Sequence, residues 1–357
     1  MATLRAQQLA ALSQLLSLNA PEKADALPAW KVLVLDKPAQ DVVATALRVQ
    51  DLRDHGVTVH AHVNSHRTAL PVPALYFCAP TRSNLQRVAQ DLQERTYAST
   101  YVSLTSPLPR AVLDDFAHEI VSRGLGADAI EQVYDQYLDF LVLADSLFDI
   151  SPSLATPVVR DIDAVSSVYE RLNDPKATES DVDELTDRTA RGLFSVIVTM
   201  YANDGNVPVI RAPRGNAAEM VARKVDKKLR DWLATSPSSR SSAASADSQL
   251  GRPLLAILDR NVDLVPMLSH SWTYHALVND VLGMRLNRVE VEAPEHGRLT
   301  KRTYDLDAKD FFWHANAPSP FPQVAEEIDK ELNRYKQDAA EITRSTGVSD
   351  VNDLAQM

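Results

Sequence analysis

Between residues 30 and 145, apolar runs and amphipathic stretches take turns along the chain. Val32-Leu33-Val34-Leu35 is a continuous apolar run stopped by Asp36-Lys37-Pro38, the pattern of a strand buried on both faces. Residues 39–54 place Val42, Val43, Ala46, Val49 and Leu52 on one broad helical face, with Gly56 just past the end. Val57, Val59, Ala61 and Val63 alternate with polar residues and predict a half-buried strand. Leu75 to Ala79 is a second buried run, closed by Pro80-Thr81. Next come a helix from about Asn84 to Glu94, a strand from Tyr101 to Leu104, and a helix opened by Pro107 and running to about Ser122. A short helix over 128–135 and a strand over Tyr137 to Leu143 complete the series. Strands separated by crossover helices predict an α/β fold with a mainly parallel sheet covered on both faces.

The texture changes near residue 150, where Pro152 and Pro157 mark a boundary. Asp181 to Ala202 reads as a long helix whose acidic first turn suits the positive end of the helix dipole. Val207 to Ile210 is a short strand, Ala217 to Leu233 a second helix, and Ser236 to Ser242 a flexible loop. Leu254 to Leu258 reads as a buried strand ending at Asp259, followed by a helix over Leu268 to Leu282. Val289 and Val291 set against Tyr304 and Leu306 predict a hairpin turning around Pro294–Gly297. Ala325, Ile328, Leu332, Tyr335, Ala339 and Ile342 recur every three or four residues, a heptad-like seam on a long helix. Val351 to Leu354 reads as the start of a returning helix. At the other end, Leu4, Leu12, Leu15 and Leu16 fit one side of a helix better than the core of a signal peptide.

With 357 residues, 45% of them hydrophobic, two or three domains are expected. A net charge of -11 disfavours nucleic acid and anionic membrane surfaces as partners. The single cysteine, Cys78, excludes an internal disulfide and a Cys-based zinc site, and its apolar neighbours make it a core residue. No stretch reaches the ~18 apolar residues of a membrane span. The chain is therefore expected in the cytosol, with any membrane role passing through a partner.

Few residues invite catalysis. Gly124-Leu125-Gly126 lacks both the third glycine and the strand-turn-helix setting of a phosphate loop. No nucleophile elbow is present. His60 and His62 share one strand face without an evident third metal ligand. Asp259-Arg260-Asn261-Val262-Asp263 follows a predicted strand, the place where α/β enzymes put chemistry. One reading makes Asp259, Asp263 and His275 the centre of a metal- or nucleotide-dependent hydrolase. The other makes Asp259 and Arg260 an ion-pair network anchoring a loop. Neither a cofactor nor a bound metal is expected. In the segment 110–134, Leu113, Phe116 and Ala117 lie at i, i+3, i+4 of one helix, and Ile130 and Val133 at i, i+3 of the next. Such stripes either pack on the parent sheet or border a groove between two short helices.

Ile257 to Met267 (ILDRNVDLVPM) and Ser269 to Tyr274 (SHSWTY) resemble the signature of the Sec/Munc (SM) family, carried by Asp259, Arg260, Asp263, Pro266 and His270. Trp30 to Pro38, Asp51 to Thr58, Val133 to Leu138, Pro320 to Pro322 and Glu331 to Lys336 are similar to the Sly branch of that family, which serves traffic between endoplasmic reticulum and Golgi. The resemblance implies a non-enzymatic, arch-shaped monomer. Its first α/β domain would span 1–150, a second 151–283, and a third, opening with a helical hairpin, 284–357. Family members are much longer and complete their second domain with strands from the C-terminal half, so the chain looks like a fragment or a shortened product. The resemblance also implies a partner: the extreme N-terminal peptide of a syntaxin-type (Qa) SNARE, together with SNARE helices. Carried over by motif, the peptide pocket comprises Leu113, Phe116, Ala117, Ile130 and Val133. Phe116 stands where the family usually has Leu, and the larger ring would narrow the pocket. A charge at Phe116 is expected to abolish peptide binding and spare the fold. Recruitment to ER and Golgi membranes would be peripheral, through the SNARE.

Overall fold

The apolar runs form the middle of a sheet. In the computed structural model, β1 (Lys31–Leu35) and β3 (Ala74–Cys78) are buried at every position. They are joined by β2 (Val57–His62), β4 (Thr100–Leu104) and β5 (Gln132–Asp135) in the order β2-β1-β3-β4-β5, every neighbour pair parallel. The structure describes residues 3–19, 30–154, 168–201, 207–235, 252–295, 298–307 and 309–346. It divides into two compact units, Met1–Val262 and Asp263–Met357.

In the first unit, side chains alternate between the two faces of the sheet. Val32, Val34, Ala74, Tyr76, Cys78, Val102 and Leu104 share a core with Leu85, Val88 and Ala89 of α4 (Arg82–Gln93) and Phe116 of α5 (Arg110–Ser122). Leu33, Leu35, Leu75 and Phe77 alternate with them and are buried as well. α1 (Leu4–Leu16) buries its four predicted leucines and packs against α2 (Lys37–Ala46). The helix predicted over 39–54 is broken at Leu47 and Arg48, which are extended; α3 (Val49–Asp54) starts anew with Asp51 accepting the Arg48 N–H.

Two expectations near the sheet edge are corrected. Residues 128–135 are not a helix: a single 3-10 turn, Ala127–Ala129, leads through extended Ile130 into β5. Two apolar residues three apart do not distinguish a helical period from a strand, and pairing with β4 decides the matter here. Nor is Tyr137 to Leu143 one strand. Tyr137 takes a left-handed φ of 54°, and the next strand, β6 (Leu141–Ala144), starts later and pairs antiparallel with β7 (Leu147–Asp149).

Two short helices, α6 (Ser151–Leu154) and α7 (Val168–Leu172), precede the long pair α8 (Glu179–Tyr201) and α9 (Ala217–Thr235). That pair buries Phe194, Ile197, Val221, Val225 and Leu229 together, and Lys224–Asp183 (2.7 Å) and Lys228–Asp187 (3.1 Å) bridge it at the surface. Against it lie two parallel strands, β8 (Val209–Arg211) and β9 (Leu254–Ala256). The expected fully buried strand is buried on one face only. Leu255 and Ile257 pack on the helices, whereas Leu254 and Leu258 are 62% and 74% exposed.

In the second unit, α10 (Tyr274–Leu282) begins after Thr273, later than the predicted Leu268, because Val265–Leu268 forms a 3-10 turn. Gly283, at φ 64°, ends α10. β10 (Arg288–Glu295) and β11 (Arg298–Asp305) make the expected antiparallel hairpin, with Val289 opposite Tyr304. Val278, Val289 and Trp313, the last on α11 (Phe311–Asn316), form the core. α12 (Phe321–Thr346) carries the heptad-like seam, of which Ile328, Leu332 and Tyr335 face solvent. Pro157, the loop Ser236–Ser242, the hairpin turn at 296–297 and Val351–Leu354 lie outside the described residues.

A candidate peptide groove beside the edge strand

α5 reaches the sheet through the loop at Leu108, whose N–H donates to the Asp135 carboxylate at the end of β5 (3.3 Å). The chain leaves α5 through Gly124, at φ 73°, with the N–H groups of Gly124 and Leu125 closing onto the carbonyls of Val121 and Ile120. Of the glycine pair, Gly124 thus ends α5 and Gly126 leads into the turn Ala127–Ala129.

Along α5, Leu113, Ala117 and Val121 stand at i, i+4, i+8 on an exposed line. In β5, Val133 pairs in register with Val102, whose side chain belongs to the core under α4 and α5. In-register residues of parallel strands share a face, so Val133 lies on the α5 side at the open edge of the sheet. Leu113 is 43% exposed and Val133 45%. Ile130 is half-buried and packs on the core cluster that holds Phe116, itself 6% exposed. Of the five predicted residues, Leu113, Ala117 and Val133 therefore meet solvent, Ile130 sits lower, and Phe116 belongs to the core. The five residues thus stand on a helix, a loop and an edge strand, instead of on two helices. Asp114, Glu131 and Asp135 flank these apolar residues in sequence and are exposed, as is Arg110.

The sheet's switch point, where doubly wound folds hold ligands beyond the strand ends, lies between β1 and β3 and is filled with structural hydrogen bonds. Asp36 caps α2 by accepting from Ala39 N–H (3.0 Å) and also accepts from Ala79 N–H and Asn84 Nδ2 (both 2.8 Å). Burial raises the carboxyl pKa of Asp36 despite these donors. Asp139 is buried near it, its carboxyl pushed up to about 7 by loss of solvent, with Arg191 and Arg188 opposing the rise and Asp36 adding to it.

The signature residues shape loops. Asp259 does not pair with Arg260; it accepts the Asn261 N–H (2.9 Å), and Asp263 accepts the Val265 N–H (3.0 Å). Pro266 lies in the 3-10 turn, and His270 Nδ1 is 3.3 Å from the Asp280 carboxylate. His275 lies edge-on to Trp313 at 5.0 Å, and its burial lowers its pKa. Asp259 belongs to the first unit, Asp263 and His275 to the second. His62 Nδ1 accepts the Asn64 N–H (3.2 Å). No group of three or more His, Cys, Asp or Glu side chains among the described residues is placed to hold a metal ion. None of their helices is long and apolar enough to cross a membrane.

Comparison with known proteins follows the same lines. A model of the Sec1 family matches residues 31–357. Protein sly1 of Schizosaccharomyces pombe is 43% identical over 99% of the chain, and Protein SLY1 of Saccharomyces cerevisiae 40% over 91%. The chain spans about half the length of these relatives, 53% and 48% respectively. The crystal structure of Sly1p in complex with an N-terminal peptide of Sed5p matches 98% of the chain, and 56% of its own, with a TM-score of 0.78 and 36% identity. The SM protein Vps45 in complex with the Qa SNARE Tlg2 shares the fold, with a TM-score of 0.72 at 19% identity, over 99% of this chain and 57% of its own. The chain belongs to the Sec1 family, in the branch of the Sly1 proteins.

Proposed function

We propose that the chain is a non-catalytic, Sly1-type SNARE-binding scaffold acting in transport between endoplasmic reticulum and Golgi, drawn to those membranes by a syntaxin-type partner. The feature that supports this reading is the set of exposed apolar residues Leu113, Ala117 and Val133 on α5 and β5, in a chain that is 36% identical to a Sly1p crystallised with a Sed5p N-terminal peptide. An extended N-terminal peptide lays an aromatic anchor between Leu113, Ala117 and Val133. Burying one such side chain contributes roughly 1.5–3 kcal/mol, enough for a hot spot. Tethering by the N-terminus raises the local concentration of the remaining SNARE segments. The exposed seam of α12 then meets SNARE helices by side-chain packing along a groove.

The domain reading 1–150, 151–283 and 284–357 is part of the proposal, with two three-layer α/β domains and the start of a third. The bare face of β9, carrying Leu254 and Leu258, supports a second domain that is completed by further strands and helices in longer relatives.

The test is a fluorescence-polarisation titration with labelled Sed5p N-terminal peptide against a scrambled control. Leu113→Asp and Val133→Asp put charges on exposed groove positions, and each should weaken binding at least tenfold. Equal binding of the scrambled peptide, or unchanged affinity in both variants, would remove the groove as the docking site.

A further inference from the structure

Between β5 and β6 the chain buries an ionisable side chain that has no partner. Residues 136–140 form a strap held by three neighbours. The N–H groups of Gln136 and Leu138 donate to the carbonyls of Leu104 and Thr105 at the end of β4 (both 2.8 Å). Gln8 of α1 donates to the Phe140 carbonyl and Thr199 of α8 to the Tyr137 carbonyl (both 3.0 Å). The Tyr137 ring stands edge-on to Phe194 of α8 at 5.8 Å. Leu138 and Phe140 are fully buried, and Asp139 between them is 4% exposed. Among the described residues, no hydrogen bond or ion pair reaches the Asp139 carboxyl group. Buried polar groups are nearly always paired, so an exception calls for a role.

Charged and titratable groups surround it on every side. Arg191 and Arg188 of α8 favour its ionised form, and Asp36, which precedes α2, opposes it. Asp36 in turn is acted on by His62 of β2 and acts on Cys78 of β3. The other carboxylates nearby are engaged: Asp41 of α2 by Lys37, Asp135 at the end of β5 by the Leu108 N–H, and Asp149 of β7 by the N–H and hydroxyl of Ser151. α1 faces the strap with the neutral Gln8. By helical spacing, Arg188 and Arg191 share the α8 face that carries Phe194 and Thr199. Arg188 is paired with Glu184 (2.5 Å) and Arg191 with Asp187 (3.1 Å). Asp187 is held a second time, by Lys228 of α9 (3.1 Å), so Arg191 can leave without stranding that carboxylate.

We propose that Asp139 is a pH-sensitive latch between the strap and α8. In the neutral form its carboxyl group sits buried and unpaired, and Arg191 stays on Asp187, as in this structure. When Asp139 loses its proton, Arg191 turns from Asp187 to Asp139 and Lys228 keeps Asp187. The contacts of the strap with Phe194 and Thr199 then reset, because all of them lie on the face of α8 from which Arg191 swings. Loss of solvent holds the Asp139 proton up to about pH 7, so the exchange falls in the neutral range. The arrangement seen here belongs to the acid side of that range and gives way as pH rises through it. The latch is independent of peptide docking at α5 and β5.

The test is carbon-13 NMR of the aspartate carboxyl groups in the whole chain, titrated from acid to alkaline pH. The Asp139 signal is assigned by its loss in Asp139→Asn, and Asp139→Glu, which also removes it, gives the assignment by a second route. In the wild type that signal should titrate with a midpoint near 7. Arg191→Gln should raise the midpoint by about one pH unit or more, the effect of losing a close opposite charge. The Asp187 signal, assigned by its loss in Asp187→Asn, should move with the same midpoint in the wild type and stay still in Asp139→Asn. Hydrogen exchange, corrected for its intrinsic pH dependence, should show protection across residues 191–201 changing by about threefold or more between pH 6 and pH 8 in the wild type and not in Asp139→Asn. An Asp139 midpoint below about 5, in the ordinary aspartate range, would overturn the latch. So would a midpoint that Arg191→Gln leaves in place, or an Asp187 signal and α8 protection that do not follow Asp139.

Discussion

Asp139 places a carboxyl where water does not reach. Its folded-state value of about 7 lies above the ordinary 3.8, so the folded protein holds this proton more tightly than the unfolded chain. Stability from this group is complete below pH ~4 and declines as pH rises towards 7, where it levels off. By linkage the full effect is roughly 4 kcal/mol at most. Asp139→Asn keeps the shape without the charge, so it should raise the urea midpoint at pH 7.5 and flatten the pH dependence between 4 and 7. A midpoint lower than wild type at pH 7.5 would mean that Arg191 and Arg188 stabilise the ionised form more than burial opposes it. Phe116 differs from its four companions at the same scale. The expectation that a charge there spares the fold fails because the side chain is buried. Truncating a buried Phe costs about 3–5 kcal/mol, and an unpaired buried charge adds to that. Phe116→Asp should therefore lower the melting temperature sharply, whereas Leu113→Asp should leave stability within about 0.5 kcal/mol.

Elements were legible wherever one signal dominated. The unbroken runs at Val32–Leu35 and Leu75–Cys78 became the two fully buried central strands, and the four predicted leucines of α1 turned inward. The segment 128–135 misled because the three-residue spacing of Ile130 and Val133 imitates a helical period, whereas Ile130 precedes β5 and only pairing with β4 reveals the strand. The groove itself was reached through a family resemblance. Periodicity alone left open whether its residues were core, and the division between exposed Leu113 and buried Phe116 depends on packing that local sequence does not encode. Asp259 left two readings open for a similar reason, since a carboxylate after a strand looks the same whether it pairs with the next arginine, caps a turn or serves chemistry; it and Asp263 cap turns. The return from α5 to β5 needs a positive φ at Gly124, where an added Cβ would meet no neighbour within 4 Å. Gly124→Ala should therefore cost only the backbone term, about 1 kcal/mol, read from urea unfolding. A loss of several kcal/mol would show that the turn is held by contacts beyond its own geometry.

At the scale of the whole molecule, the first unit holds a five-stranded parallel α/β sheet, and the second carries a long helix on which Ile328, Leu332 and Tyr335 are exposed. A parallel pair such as β8–β9 is ordinarily covered on both faces, yet Leu254 and Leu258 are bare. If this exposed face is the docking face proposed for the second domain, the chain should bind a hydrophobic dye strongly, and Leu254→Ser with Leu258→Ser should reduce that signal without lowering stability. The most direct test of the central claim remains the polarisation titration of the whole chain with labelled Sed5p N-terminal peptide, wild type beside Leu113→Asp. The groove between α5 and β5 predicts saturable binding that the scrambled peptide does not compete and that Leu113→Asp weakens at least tenfold. Binding of equal strength in wild type and Leu113→Asp would contradict it.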